Sequence, residues 1–451
     1  MPRPAASLLA LTVGCVLADS AVVTLALPEI LQRLNGTVGQ VAWVLIAFNL
    51  VLAVAAGPAA RSCRRRDPAV LAAAGIAVFA GASALCAVAG SLGVLIAARC
   101  VQAAGGAFAV VGSLRLLVDE LDERRGTAWW IAAGVFGTAV GPVAGGLLTD
   151  AFSWRSIFVV QVPIAALAVP TALARRRGKG RRSVEDAPRH SVRIRPNIAL
   201  ALLSAALTAA LFLFVLLLVD GWRRSPAVAA VTVSVIPLAA LLARPLARVL
   251  RSGPDAETAA GCLLIAGGLA ALALLPSARL GWTVGPQALV GLGLGLTLDR
   301  LTVQAMRDRT PQALHGGWTI AARHAGVVLG LALLTPVFAA DLRDAQAPAQ
   351  DAVTALVLDA PLRAQDKVSL ARGLVRQLRQ EGGRVPDLHP AFAQLTLPAA
   401  EKPAAARLER DLDAQLERAA THAFRDAFLI GAALALAALL TLVPAPRRGE
   451  R

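Results

Sequence analysis

Asp19 stands about 12 residues into an apolar run that begins near position 7, and Arg99 and Gln102 stand in another that spans about 92–114. Two later apolar runs carry Asp299 with Arg300 and Arg323 with His324. An ionisable side chain surrounded by hydrocarbon is costly, so each of these positions reads first as functional. Burial disfavours the charge on a carboxylate and a nearby guanidinium favours it. One such group can therefore bind and release a proton as its surroundings change. Plainer roles exist for each: Asp19 as a hydrogen bond to a neighbouring helix, Asp299 and Arg300 as a paired couple snorkelling to a membrane face, His324 as a packing residue. Nothing beside them suggests covalent or cofactor chemistry. Gly291-x-Gly293-x-Gly295 resembles a nucleotide loop only superficially, because it lies inside an apolar run with no strand before it, and it reads as packing. The five cysteines have no metal-type spacing and form no disulfide framework. No enzyme activity, metal or cofactor is expected.

The elements that must carry these groups follow from hydropathy. Of 451 residues, 57% are hydrophobic and 16% charged, and the mean hydropathy is +0.63; soluble domains carry roughly 25% charge. A membrane-spanning helix needs about 20 mostly apolar residues. Twelve runs qualify, at about 7–27, 41–60, 69–89, 92–114, 127–149, 156–174, 197–219, 227–249, 258–276, 282–304, 313–340 and 423–443. Irregular backbone cannot face lipid, so the fold class is all-α, with about twelve transmembrane helices in two six-helix bundles. The first run resembles a secretory signal, but Asp19 at its centre argues for a retained helix. Residues 1–174 form the first bundle, 175–196 a linker, and 197–451 the second bundle, interrupted by a loop at about 342–422.

Charge placement orients the chain. The net charge is +16, almost all of it arginine, since only three lysines are present. With both termini inside, the inner segments hold 25 basic residues and the short outer loops five. That asymmetry predicts cytoplasmic termini and an even number of spans in a cell membrane. The basic linker reads as a solvated tether against anionic lipid; it lacks the interleaved aromatics of a nucleic-acid surface, so no nucleic-acid partner is expected. Segment 342–422 holds 11 basic and 11 acidic residues. There Leu408, Leu412 and Leu416 predict an amphipathic helix, and Gly382-Gly383 and Pro386 end the one before it.

An internal repeat is visible. Trp129-x-Ile131-Ala132-Ala133-x-x-x-Gly137-x-x-x-Gly141 recurs 189 residues later as Trp318-x-Ile320-Ala321-Ala322-x-x-x-Gly326-x-x-x-Gly330, and Pro58-Ala59-Ala60-Arg61 recurs as Pro245-Leu246-Ala247-Arg248. Six helices separate the copies, so the halves are parallel repeats, an arrangement that places a substrate site between them near mid-membrane. Around the first copy Gly134, Gly137, Gly141, Gly145 and Gly146 flank Pro142. This strip permits close helix approach at a bend. Gly141 is expected where the fifth helix meets the opposite bundle, and the halves are expected to rock about the fifth and eleventh helices.

These residues together resemble the drug:proton antiporters of the major facilitator superfamily, in the branch that usually has fourteen helices. Leu17-Ala-Asp19-Ser-Ala-Val-Val-Thr-Leu-Ala26-Leu27-Pro28 resembles its acidic first-helix motif. Ile96-Ala-Ala-Arg99-Cys-Val-Gln102-Ala-Ala-Gly105-Gly106 resembles the superfamily's fourth-helix arginine motif, which implies a part in proton transfer. The glycine-proline strip resembles the antiporter signature, and Trp154-Arg155-Ser-Ile-Phe158 with Pro163 resembles the start of the sixth helix. Two departures stand out. Gly57-Pro-Ala-Ala-Arg61-Ser-Cys-Arg64-Arg65-Arg66 has arginine where the gating loop's aspartate and second glycine belong, and only the basic linker stands where the branch has two further helices.

The expected function is proton-coupled export of small amphiphilic compounds by a monomer in the lipid bilayer, with Asp19, Arg99, Gln102, Asp299, Arg300 and Arg323 lining a proton and substrate cavity. Proton symport or facilitated uptake of a solute remains the alternative within transport, and a non-transporting sensor or accessory protein the alternative outside it. The arginines favour an anionic substrate and Asp19 a cationic one. The topology is testable directly. A reporter fused after Lys179 should be cytoplasmic and one inserted near Gly383 extracytoplasmic; the same side for both would end the twelve-span arrangement.

Overall fold

The computed structural model describes residues 4–175, 190–250, 253–344, 354–380, 388–394, 398 and 401–442. These residues are helical with no strand. The first six helices are α1 (Pro4–Arg33), α2 (Val38–Arg65), α3 (Pro68–Ala87), α4 (Leu92–Leu121), α5 (Glu123–Ala151) and α6 (Ser156–Ala174). Then follow α7 (Ile194–Gly221), α8 (Pro226–Val249), α9 (Pro254–Ala273), α10 (Leu280–Met306) and α11 (Gln312–Asp344). A set of shorter helices, α12 (354–359), α13 (Ala364–Gln380), α14 (His389–Ala393) and α15 (Lys402–Ala423), leads to α16 (Arg425–Leu442). Eleven described helices are long and apolar enough to cross a membrane, α15 and α16 counting as one segment. The tenth expected span is α10, 27 residues long, whose glycines and Gln287 dilute its apolarity.

Local chemistry sets the helix ends. Thr37 and Gln40 form a reciprocal capping box at the start of α2. Asp67 caps α3, with Pro68 at its first position. Asp122, at φ 96° and ψ 164°, ends α4 and caps α5 in a single residue, in a backbone region that is strained for any residue but glycine. Helix α2 continues through Arg61, Arg64 and Arg65. The altered gating segment is therefore the end of a helix, and Arg64 and Arg65 lie in its last turn, where positive charge complements the exposed carbonyls. Helix α7 contains two π-type stretches, Ala209–Leu213 and Leu217–Gly221, which the apolar pattern alone did not signal.

The repeat reappears in the packing. In the first half α1 packs on α5, α2 on α4, α3 on α4, and α3 on α6; in the second, α7 packs on α11, α8 on α10, α9 on α10, and α9 on α16. Between the halves α2 meets α11, and α5 meets α8. Counting only the twelve spans, with α16 as the twelfth and the first following it, a shift of six exchanges these two cross-pairs, as a two-fold relation requires.

The glycine strip does not sit where expected. Gly137, Gly141 and Gly145 face Gly14, Ala18 and Val22 of α1, within the same half. A methyl at 141 would lie 3.0 Å from the Ala18 carbonyl oxygen, and methyls at 137 and 145 would overlap the Gly14 and Val22 carbonyls. Gly134 faces Leu17, and only Gly146 reaches the other half, against Ala230 and Pro226 of α8. Pro142 is buried inside α5 without ending it. The copy behaves alike: Gly326 and Gly330 of α11 face Ala201 and Ala205 of α7. The strips join helices within each half, and the cross-half contacts lie elsewhere. On the arginine-rich face Gly317 of α11 meets Ala56 and Ala60 of α2, and Gln312 bonds Thr127 and Glu123 of α5.

Within the segment 342–422, expected as a partly helical loop, the described residues from 354 to 422 form a small helical cap with its own core of Leu370, Leu374, Leu388, Phe392, Leu408, Leu412 and Leu416. The three leucines at four-residue spacing are buried along α15 as predicted. Trp222 Nε1 donates to Thr421 Oγ1 at 3.0 Å, and Arg223 and Arg224 pair with Asp413 and Glu417, tying the cap to the α7–α8 turn. Gly382-Gly383, Pro386 and most of the basic linker lie outside the described residues.

Overfilling a close-packed contact costs about 1–3 kcal/mol. Gly137→Leu and Gly326→Leu should each lower the thermal stability of purified protein by that order, whereas Gly81→Leu and Gly267→Leu, with open space at the Cβ position, should not. Thermal unfolding in detergent compares the four; equal losses would mean that the strips do not hold α5 to α1 and α11 to α7.

Candidate functional site

Four helices converge on Asp19. Gly106 lets α4 approach α1 closely, since a Cβ there would sit 2.8 Å from Val16 Cγ1. Arg99 of α4 thereby reaches Asp19: its Nη1 donates to Asp19 Oδ2, and both side chains are 0% exposed. The same nitrogen donates to Gln102 Oε1 at 2.6 Å, and Nε to the Val44 carbonyl of α2 at 3.4 Å. The guanidinium lies 4.0 Å from the centre of the Phe48 ring, a favourable cation–π placement in a fully buried site. Nη2 is buried without a hydrogen-bond partner.

The other carboxylate oxygen is held by amides. Gln161 Nε2 of α6 donates to Asp19 Oδ1 at 2.8 Å, and Gln102 Nε2 approaches the same atom at 3.4 Å. Gln102 Nε2 also lies 2.8 Å from Ser83 Oγ and 2.9 Å from Gln161 Oε1. Three acceptors compete for two hydrogens, so the network has more than one arrangement. Sequence reasoning found Asp19, Arg99 and Gln102 but missed Ser83 and Gln161. The available signal was polarity: Gln161 is the one amide within the apolar sequence of α6.

A cavity of ≈ 80 Å³ lies between the halves, next to this cluster but not within it. Ser20, Thr24, Asn49, Arg323 and His324 are among its lining, and Asp19, Arg99 and Gln102 are not. The expectation that Asp19 and Arg99 line the central cavity is corrected by helix geometry. Successive residues turn by about 100°, so Asp19 faces into its own half while Ser20 faces the cavity. A short chain closes the wall: Ser20 Oγ donates to Asn49 Oδ1 at 3.2 Å, and His324 Nδ1 donates to the same oxygen at 2.6 Å. This link joins α1, α2 and α11, hence both halves. His324 is thus a satisfied cross-half contact.

The second half divides its charges. Asp299 pairs with Arg244 of α8 at 3.1 Å, whereas Arg300, one residue on, turns to Glu257 of α9 and away from the cavity. Arg323 lines both the central cavity and a larger one of ≈ 630 Å³ between α5, α8 and α10 that also contains Arg244 and Asp299. The structure therefore brings together Asp19, Arg99 and Gln102 in one cluster, and Asp299 and Arg323 in another, with Arg300 in neither. No group of three or more His, Cys, Asp or Glu suited to a metal is found among the described residues.

Comparison with known proteins places this arrangement. Residues 9–351 match the model of the Major Facilitator Superfamily. The chain is 33% identical over 242 residues to the methylenomycin A resistance protein of Streptomyces coelicolor, covering 52% of this chain and 49% of the relative. It is 35% identical over 159 residues to the multidrug resistance protein Stp of Mycobacterium tuberculosis, covering 34% and 29%. With the drug efflux pump JefA of the same species it shares 32% over 176 residues, covering 37% and 34%. The chain spans half or less of the length of each of these relatives. Among solved structures it is similar to a bacterial homologue of the human lysosomal transporter Spinster in an inward-facing, unoccupied conformation, with TM-score 0.62, 14% identity and 98% of each chain covered. At that identity the likeness concerns the fold alone.

Removing one member of a buried ion pair strands the other and costs about 3–5 kcal/mol. Arg99→Gln should therefore destabilise the protein strongly, and adding Asp19→Asn should recover much of the loss, because amides can replace the pair without net charge. Thermal unfolding of the two single variants and the double variant measures the coupling. Additive effects would show that the two groups do not depend on each other.

Proposed function

This chain belongs to the Major Facilitator Superfamily, a family of membrane transporters, and we propose that it is a proton-coupled antiporter that exports small amphiphilic compounds from the cell. The reading rests chiefly on one observation: a fully buried carboxylate, Asp19, shares its helix turn with a residue that faces the cavity between the halves. A proton and Arg99 compete for the same carboxylate. While Arg99 holds Asp19, the site is neutral and closed. When the α1–α4 contact loosens and water enters, a proton on Asp19 replaces the guanidinium as its partner. Gln161 and Gln102 can serve both states, since an amide donates to a carboxylate and accepts from a carboxylic acid. Arg99 carries an unused donor, Nη2, ready for a second partner.

The coupling runs through the wall. Asn49 accepts from both Ser20 and His324, so a change around Asp19 is one residue from a bond that spans the halves. Residues 1–174 and 197–451 would then move as two units across the α2–α11 and α5–α8 contacts, with both termini in the cytoplasm as the arginine asymmetry predicts. Relatives named for drug resistance and efflux support export as the direction.

Asp19→Asn should abolish proton-driven efflux from vesicles, a loss of at least tenfold, while the protein still inserts. Arg99→Ala should be nearly as damaging. An Asp19→Asn variant pumping against a gradient at the wild-type rate would exclude Asp19 as the proton carrier. Proton movement in the same direction as substrate would replace antiport with symport.

A further inference from the structure

The two cavities between the halves meet at one cation. Thr138, Leu207, Leu211 and Arg323 line both, so the central cavity and the larger cleft between α5, α8 and α10 adjoin at Arg323. Arg323 has no hydrogen bond or ion pair among the described residues. Asp299, the one acidic residue among the described residues lining either cavity, is already held by Arg244 at 3.1 Å. Two guanidinium groups thus share one carboxylate. The pair itself is incompletely satisfied, because Arg244 Nε and Asp299 Oδ1 are both buried without a hydrogen-bond partner. Arginine keeps its charge in proteins, so this excess positive charge persists inside the membrane. A buried unpaired charge is expensive unless something supplies the counter-charge.

The acid that would attract a cation faces elsewhere. Asp19 lies behind the cavity wall, neutralised by Arg99 and bonded by Gln161. The cleft is otherwise apolar. Phe136 and Val140 of α5 and Leu238 and Leu241 of α8 are exposed along it, Phe136 by 65%. At ≈ 630 Å³ it has the size of a site for a small organic molecule.

We propose that the transported compounds are amphiphilic anions, with a carboxylate, sulfonate or phosphate held by Arg323 and an apolar body in the cleft between α5, α8 and α10. Guanidinium binds such groups through two parallel N–H bonds, and the orphaned Arg244 Nε supplies a further donor beside them. Because Asp299 is already held by Arg244, a cationic head in the cleft would face two guanidinium groups and be repelled. The inference rests on the export reading for its direction but not for its binding chemistry.

Three fluorescent probes with the same pyrene body test it: pyrenebutyrate, its methyl ester, and a pyrenebutyl trimethylammonium. Binding to the purified full chain in detergent is read by energy transfer from tryptophan. Pyrenebutyrate should bind at least tenfold more tightly than either of the others. Arg323→Gln should remove that preference while the ester binds as before, and Arg323→Lys should restore part of it. Equal binding of the three probes, preference for the ammonium, no binding of any, or an unchanged preference in Arg323→Gln would each overturn the proposal. Proteoliposomes with an imposed proton gradient separate this outcome from the coupling mechanism. Charge-selective binding without proton-driven transport would overturn the export reading and leave the anion site standing; proton-driven transport of the ammonium alone would do the reverse.

Discussion

Neither Asp19 nor Arg99 can remain charged in a waterless helical interior without the other. Much of the first half is arranged around that need. The guanidinium and an amide from α4 and an amide from α6 reach Asp19 on α1, while a carbonyl from α2 bonds Arg99 and a hydroxyl from α3 bonds Gln102 behind them. Glycines then have to be where they are: Gly106 brings α4 to α1, and the strip on α5 lets that helix close the other side of α1. The same constraint explains why the site is coupled to its surroundings. Any motion that separates α1 from α4 exposes two charges at once, so the pair resists partial opening and favours discrete states.

The two halves share a scaffold and divide the chemistry. Helix pairings repeat from α1–α6 to α7–α11 and α16, and both glycine strips make equivalent contacts. The polar content does not repeat. The first half holds a compensated pair turned inward; the second presents Arg323 to the space between the halves and parks Arg300 on Glu257. The neutralised pair is thus set apart from the arginine that faces the space between the halves, while the bond from His324 to Asn49 links the two halves beside them.

The helical cap at 354–422 lies beyond the matched family segment, and it has a core of its own. Its ties to the body are the side chains of Trp222, Arg223 and Arg224, at the turn that follows the second π-type stretch of α7. Leu211 and Phe212 of the first such stretch line the central cavity. Cap, irregular helix and cavity therefore lie along one element, α7.

Hydropathy and an internal repeat were enough to determine the all-helical class and to mark twelve apolar runs, of which eleven described helices are long and apolar enough to cross a membrane. These properties depend on composition along the chain and on a bilayer that admits few backbone arrangements. Asp19, Arg99 and Gln102 were legible too, because a polar residue in an apolar run is conspicuous whatever surrounds it. Tertiary structure alone decided which way each one faced. Asp299 and Arg300 are neighbours in sequence and partners of different helices; Asp19 and Ser20 are neighbours on opposite sides of a wall. The glycine strip was visible as a surface for close approach, but its partner was not, since any helix with a small-residue face fits it. Gln161 carried the same signal and was passed over because no recognisable motif surrounds it, whereas a serine such as Ser83 is common enough in a span that only the atoms opposite it reveal a role. A sequence lists the groups that need partners, and direction around a helix axis, set by packing, chooses among them.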